Sequence, residues 1–131
     1  MTLNMGIGSR LPAISSALGR VLLAGRSDAE IAQYLLEIDP KQMTRHTILS
    51  KAKIQDAIRK ARADGYALVE DEVVTGFRSI AVPIRSYGGQ VVAALNVGVH
   101  SSRIKLSVSI NRHLPLLLGE AASLSRQLVS G

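Results

Sequence analysis

Glu70, Asp71 and Glu72 form the densest run of groups able to act as acid, base or cation ligand. Consecutive carboxylates in a turn are ordinarily solvated, and that is how this run reads. Ser15 and Ser16 precede helical positions, but they lack a nucleophile-elbow pattern and have no neighbouring histidine to act as base. His46, His100 and His113 lack the i, i+4 spacing of a helical metal pair and read as surface histidines. Gly6-Ile7-Gly8 is a GxG without the rest of a phosphate loop. No catalytic residue, metal ligand or cofactor is assigned, and the chain does not read as an enzyme. A different chemistry is offered by Lys41, Arg45, Lys51, Lys53, Arg59, Lys60 and Arg62, seven of the 16 basic side chains. Such a cluster fits nucleic-acid phosphates, or it is the solvated face of a helix. No aromatic lies in this stretch to stack bases, which argues against single strands and leaves duplex binding open.

Small and polar residues at Ser79, Ala81, Asn96 and Gly98 are the other unusual chemistry, and the elements around them decide what they face. Phe77 to Arg85 and Val91 to His100 are β-rich and joined by Tyr87-Gly88-Gly89-Gln90, whose two glycines suit a primed hairpin turn. A turn centred on Gly88-Gly89 pairs residues whose numbers sum to 177, so Ser79 faces Gly98 and Ala81 faces Asn96. Side chains alternate along strands, so these four share one face, while Ile80, Val82, Leu95 and Val97 share an apolar face that reads as core. The first face is either solvated, as in many antiparallel sheets, or the wall of a covered cavity. The absence of charge before Arg85 favours the cavity.

The remaining elements follow from periodicity. Leu3, Met5 and Ile7 alternate as a short strand. Leu11 to Leu23 places residues 14, 17, 18, 21 and 22 on one helical face, with Gly25 as a stop. Ser27 and Glu30 form a capping-box pattern opening a helix that buries Ile31, Leu35 and Ile38 and ends by Pro40. Residues 41 to 49 read as a loop. Ser50 caps a helix through Ala63 that buries Ile54, Ile58 and Ala61, and Gly65 supplies its left-handed exit. Tyr66 to Val69 is a short strand. Ser107 to Val129 returns to helical spacing, with Pro115 as a kink or a helix start. The class is α+β, an antiparallel sheet with flanking helices.

At 131 residues the chain is one domain's worth, and 47% apolar composition argues against disorder. A net charge of +6 comes from 16 basic and ten acidic side chains. The absence of cysteine excludes disulfides and thiolate metal sites and fits a reducing compartment. No apolar run approaches the roughly 18 residues that span a bilayer, and the N-terminus lacks a signal-peptide layout. A cytoplasmic protein without membrane contact is the expectation.

RLPAISSALGRVLLA (Arg10 to Ala24), DGYALVEDEVVTGFRSIAVPI (Asp64 to Ile84) and VVAALNVGVHSSR (Val91 to Arg103) resemble the effector-binding domain of IclR-type transcriptional regulators. The similarity continues through HLPLLLGEAASLSRQL and is closest to the branch sensing aromatic acids such as protocatechuate and hydroxybenzoate. The resemblance implies a GAF-like sensor lacking its first strands, with residues 1–131 a single partial effector-binding domain. It implies that DNA is met only through a helix-turn-helix domain absent here. It implies a homo-oligomer, dimer or tetramer, because the missing strands leave a sheet edge that invites pairing. The effector it implies is a small-molecule carboxylate lying against the sheet. Backbone groups of Ala17 and Leu18 would hold it, with Val69, Ser79, Asn96 and Gly98 on the strands. Position 69 is often Asp in members that bind small keto acids, and Gly98 replaces a common Ser. The less polar surface suits a larger, flatter aromatic acid. Arg20 or Arg78 could take its carboxylate in a bidentate fork, although strand alternation turns Arg78 away from Ser79 and toward a surface role. The alternative is a basic nucleic-acid-binding module acting through Lys41 to Arg62.

Overall fold

The computed structural model describes residues 13–130. The strand expected around Leu3, Met5 and Ile7 lies outside these residues.

Helix α1 (Ala17–Ala24) is shorter than the apolar spacing predicts. Ser16 takes extended backbone angles, and its hydroxyl accepts the Gly19 N–H at 3.0 Å, so the helix starts there rather than at Leu11. Gly25 ends it with φ −80°, without a left-handed turn; a Cβ at Gly25 would stand 2.5 Å from the Cβ of Val91. The glycine therefore serves close packing. Helix α2 (Asp28–Glu37) opens on both halves of the expected capping box. Glu30 N–H donates to Ser27 Oγ at 3.1 Å, and Ser27 N–H donates to Glu30 Oε1 at 3.3 Å. The Ser27 N–H, and after it the Ser27 hydroxyl donating to Glu30 Oε1 at 3.1 Å, hold the Glu30 carboxyl below its ordinary pKa. Ile31 and Leu35 are buried, while Ile38 turns extended and ends the helix two residues before Pro40. Helix α3 (Lys51–Asp64) is capped by Ser50, buries Ile54, Ile58 and Ala61, and leaves through Gly65 at φ +80°. Residues 41–49 form no helix or strand.

Strands β1 (Ala67–Glu70), β2 (Phe77–Arg85) and β3 (Val91–His100) make an antiparallel sheet in that order. The expected hairpin register holds from Phe77↔His100 to Ile84↔Ala93, then shifts at Arg85↔Val91. The tip is not a primed turn. Only Gly89 has positive φ, at +83°, and its N–H donates to Ser86 O at 2.9 Å, the pattern of an ordinary turn followed by a left-handed glycine. Chain continues through a one-turn helix α4 (Leu106–Val108) and a π-turn (Ser109–His113) into α5 (Leu114–Ser130). Pro115 cannot donate an N–H to the preceding turn, and the π-turn absorbs that break next to it, as insertions of this kind do. Pro115 thus sits in the first turn of α5.

Two apolar cores sandwich the sheet. Ala67, Val69 and Ala81 pack with Ala17, Val21, Ile54 and Ile58 beneath α1 and α3, while Ile80, Val82 and Ile84 pack with Leu114, Leu117 and Ala121 of α5. Leu95 and Val97 join the second core as the alternation requires. No helix among the described residues is long and apolar enough to cross a membrane.

Candidate functional site

Val69, Ser79 and Gly98 form one row across the three strands, since Val69 pairs with Ser79 and Ser79 with Gly98. Ala67, Ala81 and Asn96 form the next row. Asn96 Nδ2 donates to Ser79 Oγ at 3.3 Å, linking the rows. This face is covered in part: Ala81 and Val69 are buried with Ala17 in one apolar cluster and Leu18 packs against it, while Ser79 and Asn96 are half-buried and Gly98 is exposed. Alternation and register put Val69, Ser79, Asn96 and Gly98 on one sheet face, and Ala17 and Leu18 of α1 pack on the Val69 and Ala81 part of it. The first-turn amides of Ala17 and Leu18 have no intrahelical acceptor by helix geometry, and no described group takes them. Free N–H groups at a helix start attract an anion.

Phe77 was not among the expected site residues, although it lies two positions from Ser79 and so on the same face. Its ring fills the space over Gly98, where a Cβ would stand 2.3 Å from Phe77 Cζ. It meets the His100 imidazole edge-on, with centroids 6.1 Å apart. Gly98 is thus the residue that admits an aromatic ring to this face.

Both arginines that could have forked a ligand carboxylate are engaged. Arg20, only 3% exposed, donates from both terminal nitrogens to the two Glu72 oxygens at 2.7 Å and from Nε to Ile14 O at 3.0 Å. Arg78 lies on the opposite face as alternation requires, but it is buried, not on the surface. It donates to Glu70 at 2.5 Å, to Ile104 O at 2.9 Å and to Ser109 Oγ at 3.3 Å.

The acidic run is only partly solvated: Glu70 is exposed, Asp71 half-buried and Glu72 buried. Glu72 is buried against Arg20 and also accepts Ile48 N–H at 3.3 Å, while Thr47 donates to its carbonyl. Asp71, at φ +61°, accepts Gly76 N–H on Oδ1 at 2.7 Å and receives the Thr44 hydroxyl on its carbonyl. Each carboxylate has a separate structural task, and no group of three metal-binding side chains gathers among the described residues. His46 and His100 are exposed, but His113 is half-buried, with its Nδ1 sealed from solvent and without a hydrogen-bond partner among the described residues.

Part of the basic segment is used internally. Arg62 donates to Ala24 O at 2.9 Å, Arg26 O at 2.9 Å and Asp28 at 2.8 Å, closing the turn between α1 and α2. That hydrogen bond, then the Arg62 charge, holds the Asp28 carboxyl below its ordinary pKa. Lys60 pairs with Asp64 at 2.8 Å, which raises the Lys60 pKa.

Residues 1–126 match the family described as bacterial transcriptional regulator IclR, C-terminal. The Pca regulon regulatory protein of Pseudomonas putida is 39% identical over 128 residues, covering 98% of this chain and 44% of that protein. A transcriptional regulator from Rhodococcus sp. RHA1 superposes with a TM-score of 0.94 at 37% identity, over 99% of this chain and 53% of its own. The inducer-binding domain of an Acinetobacter PobR double mutant, solved with 3-hydroxybenzoic acid, gives a TM-score of 0.89 at 29% identity, over 95% of this chain and 71% of its own. The chain spans about half the length of the full regulators it matches. Matched over nearly its whole length by the family's C-terminal domain, this chain belongs to the IclR family of bacterial transcriptional regulators.

Proposed function

We propose that the chain senses a small aromatic carboxylic acid on the α1-covered sheet face, and that occupancy modulates DNA binding by the whole regulator through a part outside residues 1–131. The observation carrying this reading is the Ser79–Asn96 hydrogen-bonded pair on the sheet face that packs against the start of α1, where no described group accepts the amides of Ala17 and Leu18. The amides suit a carboxylate, the Ser79–Asn96 pair suits a ring hydroxyl, and Val69 and Phe77 offer apolar and aromatic contact. The 3-hydroxybenzoic acid complex of the PobR domain supports the ligand class.

Thermal melts with protocatechuate, 4-hydroxybenzoate, pyruvate and glyoxylate test it. A ligand at 100 times its dissociation constant stabilises the fold by about 2.7 kcal/mol, so an aromatic acid should raise the midpoint by several degrees and the keto acids should not. Ser79→Leu, which fills the layer, should abolish the shift. A midpoint unmoved by either aromatic acid would sink the proposal.

The assembly would be a homodimer or tetramer. β3 carries no charge, proline or lysine along its ten residues and is the last strand of the described sheet, features of an edge open to pairing. Light scattering across a dilution series should give a mass of at least two chains; a monomer at every concentration would refute it.

A further inference from the structure

A cleft of about 320 Å³ opens between the segment entering α1 and the end of α2, within the range of small-ligand pockets. Its lining includes Ile14, Ser15, Tyr34, Ile38, Lys41 and Met43, none of them from the sheet layer described above. Ser15, only 2% exposed, stands on this lining. Lys41 is exposed and forms no ion pair among the described residues, and Asp39 stands on the same lining. The cleft therefore combines an apolar body with a cation, an anion and a buried hydroxyl.

Its walls are held from behind by one chain of bonds. Ile14 O accepts Arg20 Nε at 3.0 Å, Arg20 clasps Glu72, the Glu72 carbonyl accepts the Thr47 hydroxyl, and Thr47 Oγ1 accepts Met43 N–H at 3.0 Å. The wall of α1 and the wall of the 38–50 loop are thus tied through a buried pair, so little ordering is left to be done on binding.

We propose that this cleft is a second small-molecule site, separate from the sheet-face site. It takes an apolar-bodied carboxylic acid that also carries a hydroxyl or ammonium donor. The carboxylate meets Lys41, the donor meets Asp39, and the apolar body lies against Ile14, Ile38 and Tyr34 within reach of Ser15.

Amide chemical-shift titration of the whole chain tests this, with L-phenylalanine and 3-phenyllactate as probes and phenethylamine as the probe lacking a carboxylate. Saturable shifts are expected at Ile14, Ser15 and Met43 with the first two probes, and none with phenethylamine. Shifts with phenylalanine alone identify the donor as ammonium, and with phenyllactate alone as hydroxyl; either supports the site. Lys41→Glu, at an exposed position, should weaken binding about fivefold, the scale of one charge-assisted contact partly screened by water. Ser15→Leu should abolish it, and Ser79→Leu should leave it unchanged, which separates this site from the sheet-face reading. No saturable shift at Ile14, Ser15 and Met43 with either acid overturns the proposal, as does binding equal in parent and Lys41→Glu.

Discussion

Glu72→Ala is expected to destabilise the chain by about 3–5 kcal/mol, the range for breaking one side of a buried ion pair. Arg20 would keep a guanidinium at 3% exposure with its two 2.7 Å partners gone. The loss does not stop at the pair. Glu72 also takes Ile48 N–H, and its backbone anchors Thr47, which in turn holds Met43 and Thr44. Arg20 for its part fixes Ile14 O, the entry to α1. Three segments distant in sequence, the entry to α1, the 41–49 loop and the β1–β2 turn, therefore converge on a single carboxylate. Small domains have a total stability of about 5–15 kcal/mol, so the variant should lose a large share of it, read as a lower urea midpoint. Arg20→Ala should match it. Arg20→Met combined with Glu72→Leu should cost less than the sum of the single changes, because no buried charge is left unpaired. Exposed Glu37, which among the described residues is bonded only to Gln33 at 2.8 Å, supplies the contrast: Glu37→Ala should change stability by less than about 0.5 kcal/mol. A Glu72→Ala midpoint within experimental error of the parent would show that the pair carries no such weight.

The same pair shows where sequence reading reaches its end. The hairpin is local: two glycines set the tip, alternation sets the faces, and the pairings Ser79↔Gly98 and Ala81↔Asn96 follow from counting. The capping box at Ser27 and Glu30 and the left-handed Gly65 are likewise decided within five residues of chain. Arg20 and Glu72 lie 52 positions apart, and nothing near either residue announces the other. A run of three acids looks like a solvated turn until tertiary packing delivers Arg20 to Glu72, Arg78 to Glu70 and Thr44 to the Asp71 carbonyl. Arg78 was legible in direction but not in depth, since alternation places it on the second face and only the 104–109 segment buries it. Gly98 was legible as a small residue on an important face. That Phe77, two residues before Ser79, would occupy its space depends on a diagonal across the hairpin, which side-chain size and rotamer decide. The primed turn failed for a related reason. Two glycines permit it, but the one-residue register shift at Arg85 leaves a longer loop in which one left-handed glycine suffices.

Gly19 and Gly119 are both helical glycines, and replacing each by alanine should move stability in opposite directions. An alanine Cβ at Gly19 would stand 2.1 Å from Ala13 O and 2.3 Å from Ala13 Cα, contacts that backbone atoms cannot relieve by changing rotamer. The entering segment would have to lift from the first turn of α1. Lifting it moves Ile14 O, which Arg20 Nε holds at 3.0 Å, and so loosens the buried pair from its other end. Gly19→Ala should therefore cost about 3 kcal/mol, the upper part of the overpacking range. At Gly119, on the exposed side of α5, an added Cβ meets nothing within 4 Å. There alanine only narrows the freedom of the unfolded chain, and the gain should be about 0.5–1 kcal/mol. Because both changes add one methyl group to a helix, intrinsic helix propensity favours alanine equally at both, and the difference between them, about 4 kcal/mol, isolates the close approach at Ala13. Urea unfolding of the two variants beside the parent reads it directly. If Gly19→Ala were stabilising like Gly119→Ala, the contact between the entering segment and α1 would be looser than the 2.1 Å approach requires.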